Sequence, residues 1–165
     1  FPDFRSYERA FQMMIQVAGR AGRKSSEGKV LIQTYDEDND IFTLLRSNSY
    51  TDFIKKEIKE REQFNYPPYS RLIRITLKHL RKKKVDLSAD ALAFSMRNSF
   101  GDRVLGPEYP FISKVRNYYQ KDILLKIEKK ASFTKAKNIL DLIISNLRSK
   151  KDFRSTRFIV DVDPL

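Results

Sequence analysis

The sequence predicts an α+β protein: helices around a single strand, followed by a second domain with the order β-α-β-β-α-β of a ferredoxin-like split βαβ sandwich. Three observations carry this prediction. Apolar residues recur at helical spacing on the N-terminal side of Tyr66-Pro67-Pro68-Tyr69, and strict alternation begins just after it. The charge balance changes at the same place. The 165 residues hold 33 Lys+Arg and 21 Asp+Glu, a net +12. Residues 1–66 carry 11 basic and 11 acidic side chains, so the other 22 basic and 10 acidic ones, and the whole +12, fall in residues 67–165. Consecutive prolines cannot continue a helix and hold the preceding residue extended. They set the predicted boundary between a first segment, 1–65, and a second, 66–165.

Within the first segment, Phe4, Tyr7, Phe11, Met14, Ile15 and Ala18 mark a helix over 4–18, which Gly19 and Gly22 end. Residues 28–35 read as a buried strand, and Asp36-Glu37-Asp38-Asn39-Asp40 as its acidic turn. Helices are predicted at about 40–46 and 50–64, the second with Tyr50, Phe53, Ile54 and Ile58 on one face. In the second segment Ile73, Ile75 and Leu77 point inward while Arg74, Thr76 and Lys78 point outward. The run Arg81-Lys82-Lys83-Lys84 reads as a turn too charged to bury. Asp86 is expected to cap a helix to about residue 99, with Leu87, Ala91 and Phe94 inward. Strands follow at about 111–116 and 122–129, joined around Asn117-Tyr118-Tyr119-Gln120. Ser132 caps a helix whose stripe is Ala136, Ile139, Leu140, Ile143, Ile144 and Leu147. The last strand turns Phe158, Val160 and Val162 inward.

Composition excludes several function classes. There is no cysteine, so disulfides, thiolate zinc sites and thiol nucleophiles are ruled out. His79 is the only histidine, which argues against a His-rich metal site or a Ser-His-Asp triad and suits a structural role. No apolar run approaches the ~18 residues of a membrane span, and no signal peptide is visible. The chain opens on Phe1, so the expectation is a piece of a longer cytoplasmic protein.

A domain-sized basic block implies a polyanionic partner, with nucleic acid the usual one. In a split βαβ sheet the first and third strands are central, so Arg74, Lys78 and Lys126 are expected to share the open face with Lys114 and Arg116. That face, the turn Arg81, Lys82, Lys83 and Lys84, and Arg148, Lys150 and Lys151 at the last helix's end form the expected DNA-binding set. Tyr118 and Tyr119 either stack on an exposed base or prop up the hairpin. Asp161 and Asp163 alternate outward and read as solvated or salt-bridged, so no metal is expected.

The string Gln16-Val17-Ala18-Gly19-Arg20-Ala21-Gly22-Arg23 carries the chemistry. Two arginines, each after a glycine, are read as lying on a bend whose backbone can approach a partner closely. Paired guanidiniums there suit the charge on a transferring γ-phosphoryl group. The plainer alternative is a glycine-capped helix end with two solvated arginines. The string resembles motif VI of superfamily 2 helicases, which belongs to the second RecA-like lobe. Asp3-Phe4-Arg5, Glu8-Arg9, Phe11-Gln12, the strand from Gly28 to Thr34, the helix with Tyr50, Phe53, Glu57 and Arg61, the Pro67-Pro68-Tyr69 junction, Gly106-Pro107, Ile123-Leu124-Leu125-Lys126 and the closing Val160-Asp161-Val162-Asp163-Pro164 are similar to the primosomal protein N′ (PriA) family of replication-restart helicases.

That resemblance implies ATP-dependent 3′→5′ unwinding at stalled forks and primosome assembly. It implies a trailing part of a RecA-like lobe followed by a domain also likened to ribosomal S10. Arg20 and Arg23 would be arginine fingers reaching ATP, with Gln16, Gly19 and Gly22 in the same nucleotide-binding segment. ATP and Mg²⁺ would be completed by the rest of the parent, and zinc would belong to the parent only. The implied partners are forked and single-stranded DNA, the single-stranded DNA-binding protein and the proteins that load the replicative helicase. One departure stands out: Gln120 lies where the family pattern suggests a basic residue. Two other readings remain, a stand-alone basic module for RNA or the ribosome and another superfamily 2 recombination or repair translocase. Pro67-Pro68 and the terminal Asp-Val-Asp-Pro argue against the second.

Overall fold

The computed structural model describes residues 4–21 and 29–164, divided into two compact units, one ending at Phe64 and the other beginning at Asn65. In the first unit, α1 (Ser6–Ala21), α2 (Asp40–Arg46) and α3 (Tyr50–Gln63) follow the predicted amphipathic segments. The Asn39 side chain caps α2 by accepting from the Ile41 N–H, and Ser49 caps α3 by accepting from that of Asp52. The core they close is small. Phe11, Ile41 and Phe53 are buried, and the Phe11 and Phe53 rings stack at 4.1 Å between centroids. Beside it, Arg61 reaches Glu8 at 2.9 Å and Glu57 at 3.1 Å and lies over the Phe4 ring. Arg61 holds the Glu8 carboxyl below its ordinary value, whereas burial pushes that of Glu57 up.

Two expectations for this unit are corrected. Helix α1 does not stop at Gly19 but continues to Ala21. The expected strand is absent over its described residues: 29–34 are irregular, Gly28 lies outside the described residues, and Leu31 and Tyr35 are almost fully exposed. A strand is held by hydrogen bonds to a neighbour. No described segment of this unit runs beside residues 29–34 as a strand. A RecA-like lobe is therefore not recognisable in these helices.

The second unit is a sheet covered on one face by two helices. Its elements are β1 (Ser70–His79), α4 (Lys82–Phe100), β2 (Val104–Glu108), β3 (Lys114–Val115), β4 (Tyr118–Glu128), α5 (Phe133–Ser149) and β5 (Arg157–Val162). The strand order is β2-β4-β1-β5, with β3 also paired to β4 and every pairing antiparallel. Strand β4 thus lies between β1 and β2, which are joined through α4: this is the split βαβ connection, and the α+β class stands. Ile73, Ile75 and Leu77 from β1 and Ile123, Leu125 and Ile127 from β4 are buried in one core with Ala89, Leu92 and Met96 of α4 and Leu140, Ile144 and Leu147 of α5. Full burial of each large apolar side chain contributes about 1.5–3 kcal/mol. As expected, Ser132 caps α5, accepting from the Lys135 N–H. Among the described residues no helix is long and apolar enough to cross a membrane.

Several details differ from expectation. Helix α4 starts at Lys82, so the basic run is its first turn, and Asp86 lies inside the helix. Its buried stripe is Val85, Ala89, Leu92 and Met96, while Leu87 and Phe94 are 51% and 67% exposed. Both sets satisfy helical spacing, and the two stripes lie about 200° apart. The beginning of β4 moves from 122 to Tyr118, and the turn contracts to Arg116 and Asn117, both at positive φ (47° and 65°). The 111–116 strand shrinks to Lys114–Val115, and the edge place goes to Val104–Glu108, whose register shifts across Gly106-Pro107. A proline is tolerated only at such an edge or bulge. Val160 and Val162 lie on the Phe158 side but stay exposed, because β5 is an edge strand.

Candidate nucleic-acid interface

Strand register decides which basic residues meet. On the helix-free face Arg74 stands between Leu124 and Asp161, Lys78 between Gln120 and Arg157, and Lys126 opposite Leu72. Acids interrupt them. Asp122 accepts a 2.6 Å hydrogen bond from Thr76, and Glu128 accepts from Arg103 at 2.8 Å. Lys126 is half-buried, its Nζ 3.6 Å from the centroid of the Tyr66 ring, and burial lowers its ammonium pKa. The expected open basic plane is corrected to a face of alternating charge.

Lys114 is not on that face at all. It pairs with Tyr119, whose parity along β4 is that of Ile123 and Leu125, so it lies on the helix side with its Nζ 5.0 Å from the Tyr119 ring. Tyr118 points to the other face and carries the Arg157 guanidinium 4.7 Å above its ring. Both tyrosine rings already have cation partners, which favours the hairpin-propping role. Gln120 has a structural task as well. Its Nε2 donates to the Ile112 carbonyl at 2.8 Å, and its N–H donates to that of Ser113.

What the fold does gather is one end of the sandwich. Strand β1 runs out at His79, α4 begins at Lys82, the β3–β4 turn holds Arg116, and α5 ends ahead of β5, which starts at Arg157. His79 ties this end together: its Nδ1 accepts the Arg81 N–H at 2.8 Å, which leaves Nε2 to donate to Ser155 Oγ at 3.2 Å. Lys84 donates to the Asp152 carbonyl at 3.3 Å. Ser88 and Thr156 hydrogen-bond at 2.8 Å in the interior. Arg81, Lys82, Lys83 and Lys84 therefore adjoin the segment with Lys150 and Lys151, which sequence reasoning had named, and Arg154 and Arg157, which it had missed. Arg81, Lys82, Lys83, Arg116, Lys150 and Lys151 are exposed, and Arg148 lies over the Phe158 ring. The signal available for Arg157 was its place opposite Lys78, which requires the β1–β5 register.

Beneath this end lies an ionic cluster. Asp86 accepts from the Tyr109 hydroxyl, from Lys121 at 3.0 Å and from Lys82 at 3.3 Å. Burial pushes the Asp86 carboxyl up, but those three hydrogen bonds outweigh it and hold the group below its ordinary value. The folded chain thus keeps Asp86 ionised to lower pH than the unfolded chain does. Its stabilising contribution is complete above the ordinary aspartate value and is lost as pH falls through the lowered one. Urea unfolding followed between about pH 3 and 5 should show this acid-side decline in stability. Asp86→Asn should make the decline shallower.

Of the phosphate-directed string, Gln16, Gly19 and Arg20 lie exposed on α1, with Gln16 and Arg20 four residues apart on one face. Arg20 is in the last helical turn, not on a bend, and a Cβ at Gly19 would meet nothing within 4 Å. Gly22 and Arg23 lie outside the described residues. Among the described residues Arg20 makes no ion pair, so its guanidinium is available to an anion.

A family model described as the primosomal protein N C-terminal domain matches residues 62–165. The chain is 29% identical over 165 residues to the replication restart protein PriA of Bacillus subtilis (strain 168), an alignment covering 99% of this chain and 20% of that protein. It is 34% identical over 168 residues to the replication restart protein PriA of Synechocystis, covering 100% of this chain and 19% of that one. For the replication restart protein PriA of Haemophilus influenzae the identity is 33% over 164 residues, with 98% and 22% covered. The chain spans about a fifth of the length of the curated relatives it matches.

Proposed function

We propose, since this chain belongs to the family of the primosomal protein N C-terminal domain, that it is the C-terminal portion of a replication-restart DNA helicase and that its second unit holds forked DNA. The supporting observation is the concentration of exposed cations around Arg81–Lys84, Arg116 and Lys150–Arg157 at one end of the sandwich. Scattered Lys and Arg bind phosphates without reading bases. The module therefore reads structure and not sequence. In the same reading, α1 carries Gln16, Gly19 and Arg20, with Gly22 and Arg23 beyond it, toward an ATP site completed by the rest of the parent. ATP with Mg²⁺ supplies the free energy for 3′→5′ unwinding, and the arginines stabilise charge on the transferring phosphoryl group. The single-stranded DNA-binding protein and the loaders of the replicative helicase are the protein partners this reading implies.

The test is competition binding of the 165-residue chain to forked, single-stranded and blunt duplex DNA of two unrelated sequences. Forked DNA should be preferred, with affinity in the micromolar range of non-specific contacts and no dependence on sequence. Preference for one sequence, or no binding at low salt, would defeat the proposal.

A further inference from the structure

Phe111 is fully exposed, Ile112 is 62% exposed and Val115 is 41% exposed, all in the segment between β2 and the β3–β4 turn. Exposing a phenylalanine forfeits roughly 1.5–3 kcal/mol of burial, and this one is held out by a braced scaffold. Gln120 pins the segment from β4 through the carbonyls of Ile112 and Ser113. The Tyr109 hydroxyl anchors its other side on Asp86, with Lys82 and Lys121 over the Tyr109 ring at 4.8 and 5.1 Å. Residues 109–121 contain Lys114, Arg116 and Lys121 and no acidic residue. The Asp86 carboxylate at its base is taken up by Tyr109, Lys82 and Lys121. A protruding ring on a braced segment whose own charged side chains are all cations matches a ligand that offers flat apolar faces along an anionic backbone. An unpaired nucleobase on a nucleic-acid strand has that chemistry.

We propose that Phe111, supported by Ile112, stacks on an unpaired base at a single-strand/duplex junction, while Arg116 and Lys114 hold the adjoining phosphates. The proposal rests on the DNA-binding reading above and assigns the base contact to Phe111 in place of Tyr118 and Tyr119, whose rings are already covered by Arg157 and Lys114. A peptide partner is the competing occupant. It is less suited, since a convex tip gives a peptide's apolar side chains nothing to enter.

The experiment titrates the full chain against forked DNA carrying 2-aminopurine at the first unpaired position, and against blunt duplex. Insertion of Phe111 unstacks the 2-aminopurine from its neighbour, so binding should raise its fluorescence. Phe111→Ala should abolish the rise and weaken fork binding about tenfold, leaving duplex binding unchanged, as loss of one stacked base does. Phe111→Tyr should retain both. Arg116→Ala should weaken fork and duplex alike and keep the fluorescence change in the bound state. Because Phe111 buries nothing, Phe111→Ala should unfold in urea like the parent chain. Fork binding by Phe111→Ala that matches the parent in affinity and fluorescence overturns the stacking role and leaves the DNA reading standing. Absence of binding to every DNA overturns both. DNA binding that is blind to Phe111→Ala, with an acidic apolar peptide captured only by the parent chain, assigns the tip to the peptide and overturns the base contact.

Discussion

Replacing Arg20 by alanine in the complete enzyme is expected to lower DNA-stimulated ATP turnover by roughly 10³-fold or more, the usual consequence of losing an arginine finger. Arg20 lies in the last turn of α1, exposed and without an ion pair among the described residues, so the substitution removes no packing from the Phe11–Ile41–Phe53 core. A loss of turnover can then be assigned to chemistry. Arg20→Lys is the informative companion: lysine keeps the charge and loses the planar fork that grips phosphate through two donors, so most of the loss should remain. Arg23→Ala should behave like Arg20→Ala. The 165-residue chain itself contains no G-x-x-x-x-G-K-[ST] segment and should release no phosphate from ATP. Near-normal turnover by the Arg20→Ala enzyme, or turnover by the chain alone, would remove these residues from the mechanism.

The order of elements was legible because each signal was local. Alternation in β1, the capped stripe of α5 and the helical spacing of α1–α3 depend on residues a few positions apart, and the folded chain keeps them. Failures came where a choice was made by something distant. Helix α4 carries two apolar stripes, and only the sheet beneath it selects Val85, Ala89 and Leu92 over Leu87 and Phe94, while Ala91, also expected inward, packs partly buried against the core. The strand predicted at 28–35 is intrinsically suitable, but a strand cannot be completed by its own sequence. The edge strand β2 was concealed by Gly106-Pro107, which reads as a break although an edge accepts it. The basic residues were all visible, and their grouping was not. Whether Lys114 joins Arg74 on one face depends on a two-residue turn at Arg116-Asn117, and a shift of one residue moves a side chain to the opposite face. Gln120 looked like a departure from a family pattern, yet its value lies in two hydrogen bonds to a segment whose position no local signal fixes.

The salt dependence of DNA binding should report the basic end of the sandwich and not the sheet face. With about five phosphates neutralised, log affinity should fall against log salt with a slope of about −4.5 on duplex DNA, a loss of about 500-fold between 50 and 200 mM salt. Which lysines and arginines set that slope distinguishes the two surfaces. Lys83 and Arg116 are exposed and make no ion pair among the described residues, so each is available to displace a counterion from a phosphate. Replacing both by alanine should reduce the slope by nearly 2, at about 0.9 per phosphate contact. Arg74 and Lys126 offer the contrasting pair. Asp161 stands opposite Arg74, and Lys126 is half-buried against Tyr66 with burial opposing its charge. Alanine at those two positions should leave the slope within a few tenths of its starting value. The measurement is fluorescence anisotropy of labelled duplex across that salt range, with urea unfolding of each variant to confirm an intact fold. If Arg74→Ala with Lys126→Ala flattens the slope and Lys83→Ala with Arg116→Ala does not, the helix-free face is the interface after all. A slope near zero in the parent chain would mean that phosphate contacts contribute little, and the excess positive charge of residues 67–165 would then need a partner other than DNA.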